Sequence, residues 1–446
     1  MSRRSHDGAA GAIPVLTSDF RPSPYWLDEA PLIPANDPLP ERVDVAVIGS
    51  GYCGLSAARV LARAGVSTLV LDAGDPGAGA STRNHGHIGG GGKLPPKLDA
   101  QVGTERATLI RRDAVESVAF VRALIRDERL DVDYVQRGRF IAAHSPGAFA
   151  GLQRRAEAFR TGLGLTVGII PRERQREEIG SDFYYGGITV AEAGALQPAK
   201  LHGAMRRLAE DAGAQVRGQA RVQSIGREGS GFRLETARGV VHADKVVVAT
   251  NAYSGAVTPY IQRRIVPVTA FMIATEPMPE ELAQEALPRN RTGGDTKRAL
   301  YAFRRSPDGR RIVFAGRAKF HDIDERRAAA ILHRFMCGVW PQLAGVRVSH
   351  CWKGFVGFTF DHLPHMGEHE GLHYAAGCQG AGVAMMSYLG DQIGLKILGR
   401  QARPCGLDTA QFPTLPTYRG RPWFLPIVGG YYTLRDRLDR ALARRA

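Results

Sequence analysis

The spacing of apolar residues changes twice between residues 44 and 72. Residues 44–48 form a short apolar run, which predicts a buried parallel strand. Residues 55–64 carry apolar side chains at helical spacing, and Gly65 follows as a helix stop signal. Residues 66–71 form a second apolar run. The pattern therefore predicts a strand, a helix and a second strand in succession.

The rest of the chain contains the same two kinds of pattern. Helices are predicted at residues 101–130, 150–180, 196–213, 325–343 and 380–398. Strands are predicted at residues 138–143, 232–235, 240–242, 245–252, 266–274, 299–304, 311–314 and 372–377, and near Val216 and Val222. Residues 372–398 show the order strand, glycine turn, helix once more, close to the end of the core.

Strand–helix units at both ends, with strand-rich segments between them, predict an α/β fold, α+β overall. We expect a Rossmann-like nucleotide-binding domain with an inserted, mainly antiparallel β-sheet domain. The nucleotide domain is assigned to residues 44–137, 190–260 and 345–398, and the inserted domain to residues 138–189 and 261–344. An irregular, proline-rich arm (1–43) precedes them, and a tail with a basic helix (399–446) follows.

The segment Gly49-Ser50-Gly51-Tyr52-Cys53-Gly54 stands between the first strand and the helix. Gly49 permits a tight turn, Gly51 lets the backbone approach a pyrophosphate, and Gly54 lets the helix pack closely on the strand. The helix N-terminus adds unpaired N–H groups and a positive dipole end. Asp72 ends the second strand, where a carboxylate binds ribose hydroxyls. The motif predicts FAD or NAD rather than NADP.

Residues 75–97 combine a high glycine content with Arg83, Asn84, His85 and His87. A flexible linker rarely carries such a set of side chains. The combination instead favours a loop whose backbone comes close to a ligand.

Composition narrows the class of protein. The chain has 446 residues, 44% hydrophobic and 23% charged, which is typical of a globular protein with two domains. The formal net charge is +15, but the basic residues are spread along the chain without a nucleic-acid-binding signature, so no nucleic-acid partner is expected. Residues 434–445 resemble a solvated basic helix. No signal peptide, transmembrane segment or metal site is predicted. Five scattered cysteines favour a cytoplasmic protein with reduced thiols.

Motifs along most of the chain match one known family. The stretch Gly79-Ala80-Ser81-Thr82-Arg83-Asn84 is one of them, and the others lie at residues 25–26, 194–200, 249–253, 274–277, 316–317, 352–354, 358–364 and 377–382. Together they resemble the FAD-dependent D-amino-acid oxidase superfamily, with glycine oxidase and monomeric sarcosine oxidase, and in particular its γ-glutamylputrescine-oxidase-like branch. The resemblance implies FAD, a substrate domain over the isoalloxazine ring and a small amine or amino acid as substrate. It also implies oxidation of a C–N bond to an imine by hydride transfer to flavin N5, followed by hydrolysis.

Motif and resemblance together yield a set of candidate cofactor-binding residues. They are Gly49, Ser50, Gly51, Tyr52, Cys53, Gly54, Asp72, Ala73, Ala80, Ser81, Arg83, Asn84, His85, Gly86, Val222, Thr250, Asn251, Ala252, Gly354, Gly380, Ala381, Gly382 and Val383. The helix that starts near Gly382 is expected to point its positive end at the flavin pyrimidine ring.

The chain departs from the family pattern at several positions. Gly354 occupies the position of the flavin-linking cysteine, with Cys351 three residues earlier, so we expect noncovalent FAD. A family histidine is replaced by Ala381 and another by Gln197. The lysine that activates oxygen in sarcosine oxidase aligns with Phe314. The electron acceptor is therefore O2 or another molecule.

Four residues are candidates for the catalytic centre. His87 faces the flavin or substrate, Trp352 walls the pocket, Lys353 supplies positive charge for oxygen reduction, and Arg304 holds a substrate carboxylate, as does Arg317 in the same scheme. Each has a structural alternative: a loop histidine, a core tryptophan, or surface lysine and arginine side chains.

Two other functions stay open at this point. An NAD(P)H-dependent flavin monooxygenase would need a second nucleotide site, and the sequence holds no second complete GxGxxG. A non-catalytic flavin-binding subunit is compatible with the replacements at Gln197 and Ala381.

Overall fold

The structure is a computed structural model, and it describes residues 15–89 and 94–443. Residues 1–14 of the predicted arm, residues 90–93 of the glycine-rich segment and residues 444–446 of the predicted tail lie outside these ranges. The helices are α1 (Tyr52–Arg63), α2 (Leu98–Val102), α3 (Thr104–Asp127), α4 (Pro146–Leu163), α5 (Pro198–Asp211), α6 (Pro259–Gln262), α7 (Glu280–Ala286), α8 (Glu325–Val339), α9 (Gly382–Ile397) and α10 (Leu425–Ala443).

The strands form two large sheets and one short sheet of two strands, β4 and β8. They are β1 (Leu16–Arg21), β2 (Arg42–Ile48), β3 (Thr68–Leu71), β4 (His87–Ile88), β5 (Arg139–Ala142), β6 (Val167–Ile170), β7 (Gly187–Val190), β8 (Gly194–Ala195), β9 (Gln215–Arg217), β10 (Val222–Glu228), β11 (Gly231–Thr236), β12 (Gly239–Val248), β13 (Val266–Thr275), β14 (Thr292–Asp295), β15 (Ala302–Arg305), β16 (Ile312–Gly316), β17 (Val348–Phe358), β18 (His365–His369) and β19 (Leu372–Ala376).

The first sheet is the nucleotide-type sheet that the sequence predicts. Its parallel strands follow the order β9, β3, β2, β12 and β19, and β18 is antiparallel to β19. The long strand β12 also pairs with β11 at its start, which joins the meander β10–β11 to the sheet. Helices α1, α3, α5 and α9 contribute buried side chains to the core on one face. Apolar runs such as 44–48 suit strands with both faces covered.

The second sheet has nine strands in the order β1, β17, β13, β16, β15, β14, β5, β7 and β6. Pairing is parallel at β1–β17 and β14–β5 and antiparallel at the other junctions. Helix α8 packs on one face, through a core that includes Phe271, Phe314 and Trp340. The opposite face turns toward the first sheet and carries α4 at its far end.

Sheet membership differs from the predicted domain boundaries at two places. Strand β17 lies within residues 345–398, assigned to the nucleotide domain, yet it pairs with β13 along ten residue positions of the second sheet. This long antiparallel pairing places β17 in the second sheet, although β17 is close in sequence to β18 and β19 of the first sheet. Strand β1 lies within the arm predicted to be irregular, because Leu16–Arg21 contains no proline and Pro22 follows it directly.

The helix predicted at 150–180 is also shorter than expected. Helix α4 ends at Leu163, because Gly164 adopts the left-handed conformation with φ 64°. Strand β6 follows directly. The sequence did not predict this strand, because Val167–Ile170 contains only four residues and charged segments lie on both sides of it.

Helices α1 and α9 approach each other at backbone distance. A Cβ atom on Gly390 would lie 2.1 Å from the Cys53 carbonyl oxygen, and one on Gly394 would lie 2.8 Å from Val60 Cβ. Both positions therefore need glycine, and the two helices form one rigid layer under the first sheet.

Helix α10 is fastened to the second sheet by one glycine contact and one ion-pair cluster. Gly429 lies against the Phe320 ring. Asp436 accepts hydrogen bonds from the backbone N–H groups of residues 298 and 299 and from the Arg298 guanidinium, which also binds Asp439. Within the described ranges, no helix is both long enough and apolar enough to span a bilayer.

The helix contact predicts opposite effects for two glycines. Gly390→Ala should destabilise the fold by about 1–3 kcal/mol, because the new methyl group meets the Cys53 carbonyl. Gly430→Ala in α10, where a Cβ meets no atom within 4 Å, should instead stabilise it by about 0.5–1 kcal/mol. The measurement is urea unfolding of both variants. Equal effects at the two positions would contradict the packing described.

Candidate active site

The glycine motif forms the tight turn that its sequence predicts. Gly49 has φ 104°, and a Cβ on Gly54 would lie 1.9 Å from the Gly49 carbonyl oxygen. Gly51 is the N-cap of α1 in extended conformation, and a Cβ there would lie 3.0 Å from Ser81 Oγ. The first turn of α1 carries no acidic residue, so its positive end stays available to phosphate.

Asp72 binds the glycine turn itself. Its Oδ2 accepts hydrogen bonds from Ser50 N at 2.9 Å and Ser50 Oγ at 2.6 Å, and its Oδ1 accepts from Gly74 N at 3.1 Å. The Asp72 carbonyl oxygen accepts from Ala220 N, which brings the start of β10 at Val222 beside residues 72–74. The carboxylate is thus held rigidly at the end of β3, close to exposed Ala73.

Residues 79–86, here called the flavin loop, are tied to the start of α1. Tyr52 N donates to Ser81 Oγ at 3.1 Å, and Tyr52 Oη donates to the Ser81 carbonyl at 2.7 Å. Asn84 Nδ2 donates to the same carbonyl at 2.7 Å, while Asn84 Oδ1 accepts from Gly86 N. Gly86 is required, because a Cβ there would lie 2.1 Å from the Leu196 carbonyl oxygen.

Two tryptophans hold the flavin loop from the side of the second sheet. Trp352 Nε1 donates to the Arg83 carbonyl and Trp26 Nε1 donates to the Asn84 carbonyl, both at 2.9 Å. The two indoles pack edge to face with centroids 6.2 Å apart, and both are fully buried. The predicted pocket wall at Trp352 is therefore wrong: this residue positions the loop from inside the core.

Residues 250–252, which follow β12, contact the turn that precedes α9. Asn251 has φ 42°, and its Oδ1 accepts from Gly377 N at 2.9 Å. The same oxygen lies against Gly357 of β17, where a Cβ would come within 2.3 Å. Thr250 and Ala252 flank this joint, so the predicted segment 250–252 contacts both the second sheet and the α9 turn.

The N-terminus of α9 is open. Its N-cap, Ala381, offers no side-chain hydrogen bond, and the first turn from Gly382 and Val383 holds no acidic residue. The preceding turn is held by Gln379 Nε2, which donates to Thr359 Oγ1 at 2.6 Å, and includes Gly380 with φ 81°. The free N–H groups and dipole suit a ring on which negative charge develops.

Lys353 does not reach this site, which corrects its predicted catalytic role. Side chains alternate along a strand, so Trp352 and Lys353 lie on opposite faces of β17. The Lys353 ammonium binds Asp322 Oδ1 at 2.7 Å, on the side that α8 covers, and this pairing raises the pKa of Lys353. Only its carbonyl faces the flavin loop, where it accepts from Arg83. Gly354 packs against the Arg83 side chain, as a Cβ there would lie 3.4 Å from Arg83 Cβ.

Arg304 also has a different role from the one predicted. The guanidinium is buried and donates to the carbonyls of His85, Leu196 and Arg305. It therefore anchors the end of the flavin loop from behind. Arg317 lies between the rings of Phe320 and Phe358, near the start of α10.

The two loop histidines have separate environments. His85 Nε2 donates weakly to the Val313 carbonyl at 3.4 Å, and burial together with the positive charge of Arg304 lowers the pKa of His85 to about 3. His87 lies between Thr292 Oγ1 and Arg139 Nη1, each 3.0 Å from a ring nitrogen. An arginine N–H can only donate, so the His87 Nε2 that faces it accepts.

The departures from the family pattern have structural explanations here. Gln197 is the N-cap of α5: its Oε1 accepts from two backbone N–H groups, and its Nε2 donates to the Trp26 carbonyl. Phe314 and Cys351 lie in the core on the α8 face, away from the flavin loop. Cys53 is buried under α9, and desolvation raises the pKa of its thiol to about 12.

Sequence reasoning missed Trp26 and Arg139 as site residues. Trp26 was visible only as part of a matching dipeptide, and the hydrogen bond to a loop 58 positions away has no local signature. Arg139 opens an ordinary strand, and only the tertiary structure brings it to His87.

A dinucleotide-binding sheet, a flavin loop and a second sheet that faces both define a flavin-dependent oxidoreductase. In agreement, residues 44–394 match the DAO family, described as FAD dependent oxidoreductase, and the chain belongs to this family. It is 29% identical to the probable oxidoreductase OrdL of Rhizobium meliloti (strain 1021), over 94% of this chain and 99% of that protein. It is 28% identical to the γ-glutamylputrescine oxidoreductase of Escherichia coli (strain K12), over 93% and 98% of the two chains.

The solved structures agree on the fold. The crystal structure of glycine oxidase from Geobacillus kaustophilus matches 84% of this chain and 99% of its own, with a TM-score of 0.72 at 21% identity. The predicted superfamily, fold class and cofactor are therefore confirmed: the chain is an FAD-dependent oxidoreductase of the DAO family.

The Asp72 contacts predict a specific loss of cofactor affinity. Asp72→Asn should weaken FAD binding to the apoprotein about tenfold or more, because a charged acceptor is lost at the end of β3. Asp75→Asn, three residues along, should leave affinity unchanged. The measurement is fluorescence titration of FAD, and equal affinity of the two variants would refute the assignment of Asp72.

The buried His85 predicts a loss of stability in acid. Its folded pKa of about 3 lies below its ordinary value of 6.5. The unfolded chain therefore binds a proton first, and the free energy of unfolding falls as pH drops below about 6.5 toward about 3, with no contribution above that window. His85→Gln should lose less stability than the wild type between about pH 7 and about pH 5 in urea unfolding. Replacement of the exposed His321 serves as the control, and identical slopes for all three proteins would contradict this.

Proposed function

We propose that this protein oxidises the C–N bond of an amine or amino acid to an imine, which water then hydrolyses. The observation that carries the proposal is a chain of three contacts among four elements, at the place where the two sheets face each other. The glycine turn contacts the flavin loop through Ser81, the flavin loop contacts β17 through Arg83, and β17 contacts the α9 turn through Asn251. FAD-binding elements and the substrate sheet thus form one continuous surface.

The residues present fit FAD. Gly49 and Gly54 leave no room for a side chain at the pyrophosphate turn, Asp72 is held for the ribose, and the α9 N-terminus is uncapped. Bound FAD supplies a two-electron acceptor at N5 for the hydride that leaves the substrate carbon. The substrate nitrogen also releases one proton, and addition of water to the imine yields a carbonyl compound and a free amine or ammonia.

The protein's own contribution is positioning and exclusion of water. The flavin loop is fixed by indole, tyrosine and asparagine hydrogen bonds before any substrate arrives, which lowers the cost of orienting the reactants. His85 is neutral at physiological pH because its pKa is about 3, so it places no positive charge behind the loop. The α9 N-terminus supplies positive potential at the opposite end.

Two finer features belong to the proposal. We expect FAD to be noncovalent, because Cys351 lies on the α8 face and Gly354 occupies the linking position. We also propose a reducing, cytoplasmic setting, which the five unpaired thiols support. The electron acceptor is O2 or another molecule, and the relatives' printed names, γ-glutamylputrescine oxidoreductase and glycine oxidase, support an amine or amino acid as the donor.

The test is anaerobic reduction of the purified holoenzyme by a panel of amines and amino acids. Loss of the flavin band near about 450 nm with one of them is the expected result. Readmitted air then distinguishes an oxidase, which recovers colour rapidly, from an enzyme that uses another acceptor. A flavin band that no amine reduces but NAD(P)H does would overturn the proposal in favour of a monooxygenase, and a band that neither reduces would favour a non-catalytic flavoprotein.

A further inference from the structure

We propose that the exposed face of helix α10 docks this protein on an anionic lipid surface. The face consists of Ile427, Tyr431, Leu434 and Leu438, with Trp423 just before the helix, and is here called the α10 stripe. The sequence indicates a basic helix at this place. The structure shows in addition that the apolar and the acidic side chains of α10 occupy different sides of the helix.

The α10 stripe is the main concentration of exposed apolar side chains that the structure describes. Twelve large apolar side chains are exposed in the described ranges, and five of them lie within residues 423–438. Ile427 and Trp423 are the most exposed of the twelve, at 71% and 66%. Single exposed apolar residues are ordinary, but a contiguous row of them marks a contact surface, because water is unfavourable around it.

The stripe follows the helical repeat. At 3.6 residues per turn, Tyr431, Leu434 and Leu438 all point within about 40° of the direction of Ile427. From Ile427 to Leu438 the row extends about 16 Å along the axis at 1.5 Å per residue. An apolar row on one side of a charged helix is typical of helices that lie in the plane of a membrane interface.

Charges on α10 are separated by sign. Its two acidic residues, Asp436 and Asp439, turn toward the second sheet, where Arg298 binds both. The exposed Arg435 and Arg437 lie about 80° to either side of the direction of Ile427. The ion pairs that the structure describes on α10 all involve Asp436 or Asp439. The outward side of the helix is therefore apolar in the middle and positive at both margins.

This arrangement fits an anionic lipid headgroup. Arginine side chains lay their apolar stems along a hydrophobic surface and keep the guanidinium at its polar edge, where phosphate oxygens accept from it in a fork. Trp423 stands at the N-terminal end of the stripe, and tryptophan prefers the headgroup region of a bilayer. The apolar row then enters the boundary between headgroups and acyl chains.

The helix is attached so that the stripe faces away from the molecule. Phe424, the neighbour of Trp423, packs on Tyr418 with ring centroids 6.1 Å apart. One turn later, Gly429 lies against the Phe320 ring. The inward aspartates fasten the second half of the helix. The stripe is thus presented by a helix that is already folded, so docking needs no release of α10 from the second sheet.

The charges favour a lipid surface over a second copy of the chain. In a symmetric dimer the same patch meets itself, so Arg435 and Arg437 of two copies would approach each other without an acidic side chain of the stripe between them. An anionic membrane supplies the missing negative charge, and each arginine near its surface adds to the attraction. The formal net charge of +15 acts in the same direction.

The experiment is co-sedimentation of the holoenzyme with lipid vesicles. One set contains pure phosphatidylcholine, and the other contains phosphatidylcholine and phosphatidylglycerol in equal parts. We expect binding to the mixed vesicles at least about tenfold tighter than to pure phosphatidylcholine, and weaker binding as salt is added. Absence of binding to the mixed vesicles at low salt would overturn the proposal.

An apolar double variant tests the stripe itself. Ile427→Ser with Tyr431→Ser should weaken binding to the mixed vesicles about tenfold or more, because less apolar surface leaves water. The matched control is Ile33→Ser with Val240→Ser, which removes two exposed apolar side chains elsewhere and should leave binding unchanged. Thermal unfolding of both double variants should match the wild type, since all four side chains are exposed. Equal losses of binding in the two double variants would contradict a role of the stripe.

A second pair of variants separates local charge from net charge. Arg435→Gln with Arg437→Gln should weaken binding to the mixed vesicles about tenfold or more and leave binding to pure phosphatidylcholine unchanged. Arg154→Gln with Arg207→Gln removes the same charge from exposed positions on other helices and should have little effect. Equal losses in these two variants would assign the binding to overall charge and overturn the proposal.

Light scattering of the same proteins addresses the other occupant. We expect the serine variant of the stripe to have the same mass in solution as the wild type. A wild-type dimer that becomes a monomer in Ile427→Ser with Tyr431→Ser would assign the stripe to an interface between copies of the chain, and the lipid proposal would fall.

Discussion

The indole N–H groups of Trp26 and Trp352 bind successive carbonyls of the flavin loop, and the rest of the site depends on this pair of hydrogen bonds. A glycine-bearing loop between two domains has little intrinsic preference for one conformation. The tryptophans come from a proline-rich arm and from the second sheet, so they tie both to a loop that belongs to the first sheet. Because the indoles also pack on each other, movement of either domain would break the same contact.

The sequence predicted what is encoded locally. The β2–α1–β3 unit, the roles of Gly49 and Gly54 and the α9 unit follow from short-range spacing, and the structure confirms them. The inserted sheet was also predicted as mainly antiparallel. The sequence did not predict that β17 belongs to this sheet. Residues 348–358 join it by pairing with a strand some eighty positions earlier, and no local pattern carries that information.

The same distinction separates correct from incorrect site predictions. Backbone-mediated roles such as those of Ser81, Asn84 and Asn251 belong to segments whose motifs are contiguous. Roles that depend on where a charged side chain points were wrong for Lys353 and Arg304. Side chains alternate along a strand, so Lys353 points away from the face on which Trp352 lies. That face is known only once the structure shows that Trp352 binds the flavin loop. In a chain with so many arginines, composition does not show which guanidinium is buried and bound to backbone carbonyls, as that of Arg304 is.

The close contact between α1 and α9 also fixes the separation of their N-termini. The two helices run in the same direction, since Cys53 meets Gly390 and Ala57 and Val60 meet Gly394. Helix α9 begins eight residues before its contact and α1 only one residue before, so their positive ends are offset by about 10 Å along the axis at 1.5 Å per residue. At Gly390 and Gly394 the two helices leave no room for a Cβ atom, so one helix cannot shift along the other without a clash. The two positive helix ends are therefore held at a fixed separation, so a single ligand that contacts both must span that distance.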